Sequence, residues 1–411
     1  MRHASRLASR QLHLLFVVAL AYWTTSQMIR PLVSMFLVSL GASPGVVGLV
    51  VSMQSLVPLF LAVPAGGLAD RFGHRRFLVF GSLGMVGTGL LYVAAGISRT
   101  YPALVVAQII EGICELLVWT SAQAYVTQLG NDDDRDRNIG YFSLFSAAGQ
   151  MAGPTVGGFA AEAWGYRAAF GVFAVMCLSL VVAVLMLPDN RLAAPARETS
   201  IGSGQGMFSA SKRICANPEV QVGMIGTFAN LFITGMWSSF YPIYVVSMGF
   251  TPSVAGMLVG LKGLAALAVR PFLAPVTRRL GRPGALIAAT GAAILPVAVT
   301  PVLRSFVLLA LAAAVSGAGL GLNLPLTIAI MAHNTVPEER GVAMGLRLVM
   351  NRIALLTNPL IFGFVSEYTG FELSFYVCSG FVVLLIIPAV RRWRAASTVR
   401  QGLTATPTTA R

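Results

Sequence analysis

Charge is scarce in this chain. Only 11% of its 411 residues are Asp, Glu, Lys or Arg, where a soluble domain carries about a quarter. Acids are the scarcest, 15 against 29 basic residues, and histidine and cysteine number four each. No two cysteines have metal-ligand spacing, and three of them fall inside apolar runs. These shortages exclude a water-soluble domain, a disulfide scaffold and a histidine-rich metal centre. Enzyme chemistry has no residue set to work with: there is no H-E-x-x-H, no Ser/His pair within a run and no acids paired beside a histidine. The expectation is a non-enzymatic protein with reduced thiols, no cofactor and no metal.

Apolar sequence takes the place of charge. Hydrophobic residues make up 56% of the chain, and the mean hydropathy is +0.76. A helix needs about 20 apolar residues to cross a ~30 Å hydrocarbon core. Runs of that length begin near Leu12, Pro44, Phe77, Thr100, Ile139, Ala168, Glu219, Thr251, Gly284, Ser305, Gly341 and Ser374. They are too long and too uniformly apolar for barrel strands, and backbone groups in lipid must be satisfied within the segment. The chain is therefore expected to be an all-α membrane protein with twelve transmembrane helices.

The net charge of +14 is unevenly placed. With the N-terminus inside, cytoplasmic segments hold Arg2, Arg6, Arg10, Arg71, Arg75, Arg76, Arg135, Arg137, Arg191, Arg197, Lys212, Arg213, Arg278, Arg279, Arg282, Arg340 and the arginines from Arg391 onward; the outer loops hold only Arg99, Arg167 and Arg304. This is the positive-inside pattern. Both termini are expected in the cytoplasm, and the basicity reads as topology, with the lipid bilayer and not nucleic acid as partner. Arg2 to Arg10 followed by Ala19-Leu20-Ala21 has the outline of a cleaved signal peptide. The apolar run continues to Leu40, however, so it is read as the first span.

The chain also repeats itself. Gly41 with Pro44 and Gly48 returns as Gly249 with Pro252 and Gly256, and Gly73 returns as Gly281, both at an offset of 208. Pro154 with Gly158, and Gly165 with Phe170, return as Pro359 with Gly363 and Gly370 with Phe375, both at 205. Two six-helix halves follow, 1–187 and 219–390, joined by a cytoplasmic linker over 188–218 and followed by a tail over 391–411. Gly202-Ser203-Gly204-Gln205-Gly206 in the linker mimics a phosphate loop, but no strand precedes it, and it is read as a flexible spacer.

Two stretches interrupt the apolar pattern. One is Gly66-Gly67-Leu68-Ala69-Asp70-Arg71-Phe72-Gly73-His74-Arg75-Arg76, between spans two and three. The other is Gly149-Gln150-Met151-Ala152-Gly153-Pro154-Thr155-Val156-Gly157-Gly158 in span five. Gly66 and Gly73 permit a sharp turn; Gly149 and Gly153 let a neighbouring helix approach, and Pro154 bends the span. Both stretches resemble signatures of the major facilitator superfamily, the second in particular its drug/proton antiporters. The resemblance implies the major facilitator fold, two pseudo-symmetric six-helix bundles with the substrate site near midplane between them. It implies a monomer in a bacterial plasma membrane, transporting a small molecule by alternating access with protons as co-substrate. Gly66, Asp70, Arg71, Gly73, Arg75 and Arg76 would then form a gating loop, with Asp70 as the acid of a cytoplasmic latch and Arg71 its polar partner. The second-half copy has Arg278 in place of Asp70, so the latch is one-sided. The full pattern Gly149, Gly153, Pro154, Gly157 and Gly158 is associated with efflux.

Charges within spans are costly and mark function. Arg30, Glu111, Glu115, Lys262 and Arg352 all fall near midplane at 1.5 Å per residue. In the resembled fold spans one, four, seven and ten line the cavity, which would place Arg30, Gln108, Glu111 and Glu115 there for proton coupling, facing Lys262 and Arg352. An Arg30–Glu111 ion pair is one expectation; a proton-carrying Glu111 or Glu115 is the other. Burial and a neighbouring arginine act oppositely on a carboxyl group's hold on its proton, so an arginine that moves would switch it. The chain departs from the family in having Gln108 where an Arg usually precedes Gly112, and no acid in span one. Asn230, Trp237 and Tyr241 in span seven, with Asn323 in span ten, form the expected substrate wall, since aromatics with polar tips suit an amphipathic ligand; Tyr241, with Tyr244, also fits a membrane-interface position. The reading is proton-coupled efflux of a small amphipathic compound. Its alternatives are proton-coupled import of a metabolite and a transporter-like sensor, the latter disfavoured by a linker and tails with no effector domain.

Overall fold

The computed structural model describes residues 2–128, 132–187, 204–336 and 339–404, with side chains over 11–61, 73–126, 137–187, 209–336 and 339–395. Nine helical stretches among them are long and apolar enough to cross a membrane. Three of the nine break at an internal glycine, Gly165, Gly281 or Gly370, at φ of 81°, 68° and 78°. Unbroken, the stretch Arg340–Thr404 would be nearly 100 Å long, about three membrane thicknesses, at 1.5 Å per residue. Taking each limb separately gives twelve spans: Arg2–Ser39, Pro44–Phe72, His74–Ser98, Tyr101–Gln128, 132–164, 166–185, Pro218–Ser247, 252–280, 282–299, Phe306–His333, 340–369 and 371–404. They are called spans one to twelve below. No strand occurs among the described residues. The all-α membrane architecture is as the apolar runs imply, and the span starts lie close to those read from sequence.

The duplication is written into the backbone. Among the described residues six glycines have positive φ: Gly41, Gly73, Gly165, Gly249, Gly281 and Gly370. Each of the first three has its counterpart in the second half, at the offsets of 208, 208 and 205 that the sequence gives. Only glycine enters that region without steric cost, so these six positions fix where one span ends and the next begins. Prolines do the complementary work at helix starts. Pro44, Pro218 and Pro252 open spans two, seven and eight, where a missing N–H costs nothing. Asn217 caps span seven by accepting from the Glu219 N–H.

Span seven departs from regular helix over Met236–Phe240, a single π turn in which the Tyr241 N–H reaches back to the Met236 carbonyl. Pro242 lies just beyond and cannot donate to the carbonyl four residues earlier, which frees the local ladder to widen. The wider turn sends Trp237, Phe240 and Tyr241 inward together, all essentially fully buried. The linker also differs from expectation. Residues 188–203 lie outside the described residues, but 204–216 form a helix whose Ile214 packs with Val220, Met331 and Ala343.

The two halves meet along two equivalent seams, span five against span eight and span eleven against span two. In the first, Gly158 abuts the Pro252 carbonyl and Gly256 the Pro154 carbonyl; in the second, Gly363 abuts the Pro44 carbonyl and Gly48 the Pro359 carbonyl. A β-carbon at any of the four would overlap backbone of the other half. Both seams run to the face opposite the chain termini.

Candidate functional site

The buried charges converge where the halves face one another. Tyr22, Ser26 and Arg30 recur every fourth residue along one side of span one, and Gln108, Glu111 and Glu115 share one side of span four. Arg30 Nη2 meets Glu115 Oε2 at 3.1 Å. Ser26 Oγ donates to the other Glu115 oxygen, and the Tyr22 hydroxyl donates to the Glu115 main-chain carbonyl at 3.3 Å. The expected Arg30–Glu111 pair therefore does not form; the pairing lies one helical turn away. The reason is local. Thr88 in span three donates to Glu111 Oε2, turning that carboxylate away from span one. Glu111 is 0% exposed, and its Oε1 has no hydrogen-bond partner among the described residues. Gln108 faces the same way, its Oε1 accepting from the Tyr92 hydroxyl at 3.3 Å.

Span four thus carries two acids of different kinds. Glu115 is committed to a cation and a hydroxyl. Glu111 holds one hydroxyl donor and one unpartnered oxygen in a sealed pocket. The pocket is tight because Gly112 packs directly on the Gln54 carbonyl of span two. Beside this polar centre lies an aromatic group that sequence reasoning missed. Tyr22 stacks on Trp119 at 5.7 Å between centroids, and Trp23 meets Trp119 edge-on at 4.9 Å. Trp23 and Trp119 are both half-buried. Ser26, Thr88 and Tyr92 were missed as well. Thr88 and Tyr92 stand four residues apart in the apolar middle of span three, which was their available signal.

The second half contributes cations. Lys262 Nζ lies 6.0 Å from the centroid of Trp237, at the limit of a cation–π contact. Lys262 of span eight and Arg352 of span eleven are both half-buried. Neither Lys262 nor Arg352 forms an ion pair with a described residue. The expected substrate wall is largely internal in this conformation. Trp237 is 0% exposed, and its Nε1 donates to Ser316 Oγ at 2.8 Å, which donates in turn to the Ala293 carbonyl. Tyr241 is buried against Trp237 at 3.9 Å between centroids, and its hydroxyl has no partner among the described residues. Tyr241 and Tyr244 are both buried in protein, and the Tyr244 hydroxyl donates to the Pro301 carbonyl at 3.3 Å. Asn323 donates to Thr290 at 2.9 Å within the same half. Asn230 is buried with its Oδ1 unpartnered, and so is Asn358, both of whose amide atoms lack partners.

The two sequence signatures separate by role. Gly66, Asp70 and Arg71 lie within 62–72, outside the described side chains. Gly73 makes the turn at φ 93°, and Arg76 is exposed. Arg75 donates to the carbonyls of Leu187 and Leu185 at 2.6 and 3.1 Å, placing a cation at the C-terminal end of span six, where the helix dipole favours it. In span five, Gly149, Gly153 and Gly157 face span one, touching Leu20, Thr24 and Met28. Pro154 and Gly158 face span eight of the other half. The signature is thus two-sided, one row of glycines packed within its own half and a second row of contacts across to the other.

A family model described as "Major Facilitator Superfamily" matches residues 15–305 and 225–407. Among curated relatives, the multidrug resistance protein MdtG of Klebsiella pneumoniae (strain 342) is 23% identical over 342 residues, covering 82% of this chain and 81% of its own length. Multidrug resistance protein 2 of Bacillus subtilis (strain 168) is 21% identical over 377 residues, covering 89% and 91%. Among solved structures, that of the nucleoside transporter NupG matches with a TM-score of 0.77 at 17% identity, covering 93% of this chain and 99% of that one. A bacterial homologue of the human lysosomal transporter Spinster, inward-facing and unoccupied, matches with a TM-score of 0.73 at 15% identity, covering 98% and 99%.

Proposed function

The chain belongs to the major facilitator superfamily, and from that membership we propose that this membrane transporter exports a small amphipathic compound in exchange for protons. The observation that carries the proton part is the contrast between the two acids of span four. Arg30 is occupied by Glu115 at 3.1 Å, so a charged Glu111 at midplane has no counter-ion of its own. Crossing between inward and outward forms with that charge bare is costly, so the carrier crosses with Glu111 neutral. Thr88 holds one oxygen of the carboxyl, and the unpartnered oxygen takes the proton. Glu115, Arg30 and Ser26 hold span one against span four, so a substrate that pries these spans apart also opens Glu111 to water and lets the proton leave. The half-buried Trp23 and Trp119 give that substrate an aromatic surface. The export direction is supported by the complete Gly149–Gly158 pattern and by the drug-resistance names of the relatives. Proton relay at Glu111, cavity roles for Gln108, Lys262 and Arg352, and substrate contacts from Asn230, Trp237, Tyr241 and Asn323 once the halves part are all elements of this proposal, as is the Asp70 latch.

The test is growth protection in a bacterial host stripped of its own pumps, challenged with a panel of amphipathic aromatic inhibitors. Wild type should protect against at least one, and Glu111→Gln, present in equal amount, should not. Equal protection by both would refute the proton role. One observation favours a second reading. Lys262 and Arg352 stand without ion-pair partners among the described residues, and an anion neutralising them would bind together with a proton. That arrangement suits proton-coupled import of an anionic metabolite, which would produce sensitisation instead of protection.

A further inference from the structure

Spans five and eleven end in carboxylates that reach across to the opposite half. Glu162 Oε2 accepts from the Ser253 N–H at 3.1 Å. Glu367 Oε2 accepts from the Gly45 N–H at 2.9 Å. The acceptors are 205 residues apart and the donors 208, so the two bonds are the same bond made twice by the duplication. Each donor is the second residue of a span that begins with proline, Pro252 or Pro44. The first N–H groups of a helix lack internal partners, and a side chain just before the helix normally caps them. Thr251 precedes span eight but makes no capping hydrogen bond to it. The cap comes instead from the other half of the molecule, and a carboxylate there also meets the positive end of the helix dipole.

The caps belong to a longer pattern. Pro154, Gly158 and Glu162 lie on one stripe of span five at four-residue spacing, and Pro359, Gly363 and Glu367 lie on the matching stripe of span eleven. Each stripe faces a Pro-x-x-x-Gly start: Pro252 to Gly256 for the first, Pro44 to Gly48 for the second. Proline carbonyls pack on the opposing glycines, and the carboxylate closes the end of the row. The efflux-type signature of span five thus continues to Glu162, and span eleven carries a second copy of that extension.

We infer that Glu162 and Glu367 are paired interdomain latches that hold the transporter closed on the face opposite its termini. Both bonds run between halves, so rocking the halves apart breaks both and leaves two helix starts uncapped. Release of the latches accompanies opening to that face, whatever the substrate and whichever way it travels. Glu372, an acid of the same face, serves as the contrast: it pairs with Arg304 at 2.9 Å and accepts from Tyr244, all within the second half.

The test is the distance distribution between spin labels at Ser98→Cys and Ser305→Cys, exposed positions on opposite halves of that face, with the four native cysteines replaced by serine. Glu162→Gln and Glu367→Gln, which keep an acceptor oxygen but remove the charge at the helix start, should each raise the long-distance, open population about threefold, the ratio that losing a carboxylate at a helix N-terminus implies, and the double variant should raise it multiplicatively. Glu372→Gln should leave the distribution unchanged. An unaltered distribution in the double variant, with its melting temperature and size-exclusion profile intact, would overturn the inference. So would an equal shift from Glu372→Gln, because that would mark a general charge effect on this face.

Discussion

At the residue scale, the acids of span four are legible as important but not as different. Depth counted along a helix puts Glu111 and Glu115 at midplane with Arg30. It cannot say which one meets the arginine, because one turn of span four separates them and the choice depends on Thr88 of span three. Their substitutions should diverge. Glu115→Gln strips from Arg30 its one ion-pair partner among the described residues and should lower stability by the low end of about 3–5 kcal/mol, since the arginine keeps some solvent access. Glu111→Gln keeps an oxygen for Thr88 and should cost under about 1 kcal/mol, while abolishing proton-driven transport. Thermal unfolding in detergent distinguishes the two. Trp237 presents a similar case. The sequence offers it as a ligand-facing aromatic, whereas its indole is spent on Ser316. Trp237→Phe should destabilise by about 1 kcal/mol, one neutral hydrogen bond, as read from the same unfolding curves.

At the scale of elements, the spans and their turns are almost wholly legible, because apolar length and glycine position dictate both. Of the glycines that the repeat pairs, Gly41, Gly73 and Gly165 with Gly249, Gly281 and Gly370 have left-handed backbone. The π turn of span seven was not legible: Pro242 signals a disturbed ladder, but not whether the turn tightens or widens. Nor could the two sides of the span-five signature be told apart, since a row of glycines does not name its neighbours. The structure separates them, and mutations should follow. Gly153→Val drives a side chain into Thr24 and Met28 of the same half and should cost about 1–3 kcal/mol of stability through overpacking. Gly256→Val meets the Pro154 carbonyl of the opposite half, a clash that parting of the halves would relieve. It should leave the melting temperature within about 1 kcal/mol-equivalent of wild type while exposing the seam to alkylation of a cysteine introduced beside it. The reverse ranking of the two variants would contradict the assignment of these faces.

At the scale of the whole molecule, duplication supplies the contacts between the halves in pairs and leaves the polar centre single. The seams, the left-handed turns and the carboxylate caps all recur at offsets of 205 or 208. The polar centre does not: span four brings Gln108, Glu111 and Glu115, while the second half answers with Lys262 and Arg352. Symmetric seams suit a rocking motion, and an asymmetric centre suits a coupled reaction, in which one half carries the proton and both enclose the substrate. The most direct measurement uses inside-out membrane vesicles, acidified within by respiration and followed with a pH-sensitive dye. The substrate is a compound against which the protein confers resistance. On its addition, wild-type vesicles should lose internal acidity at once as protons leave in exchange, and Glu111→Gln vesicles should not respond. Further acidification on addition of a transported compound, the mark of proton and substrate moving together, would contradict the exchange.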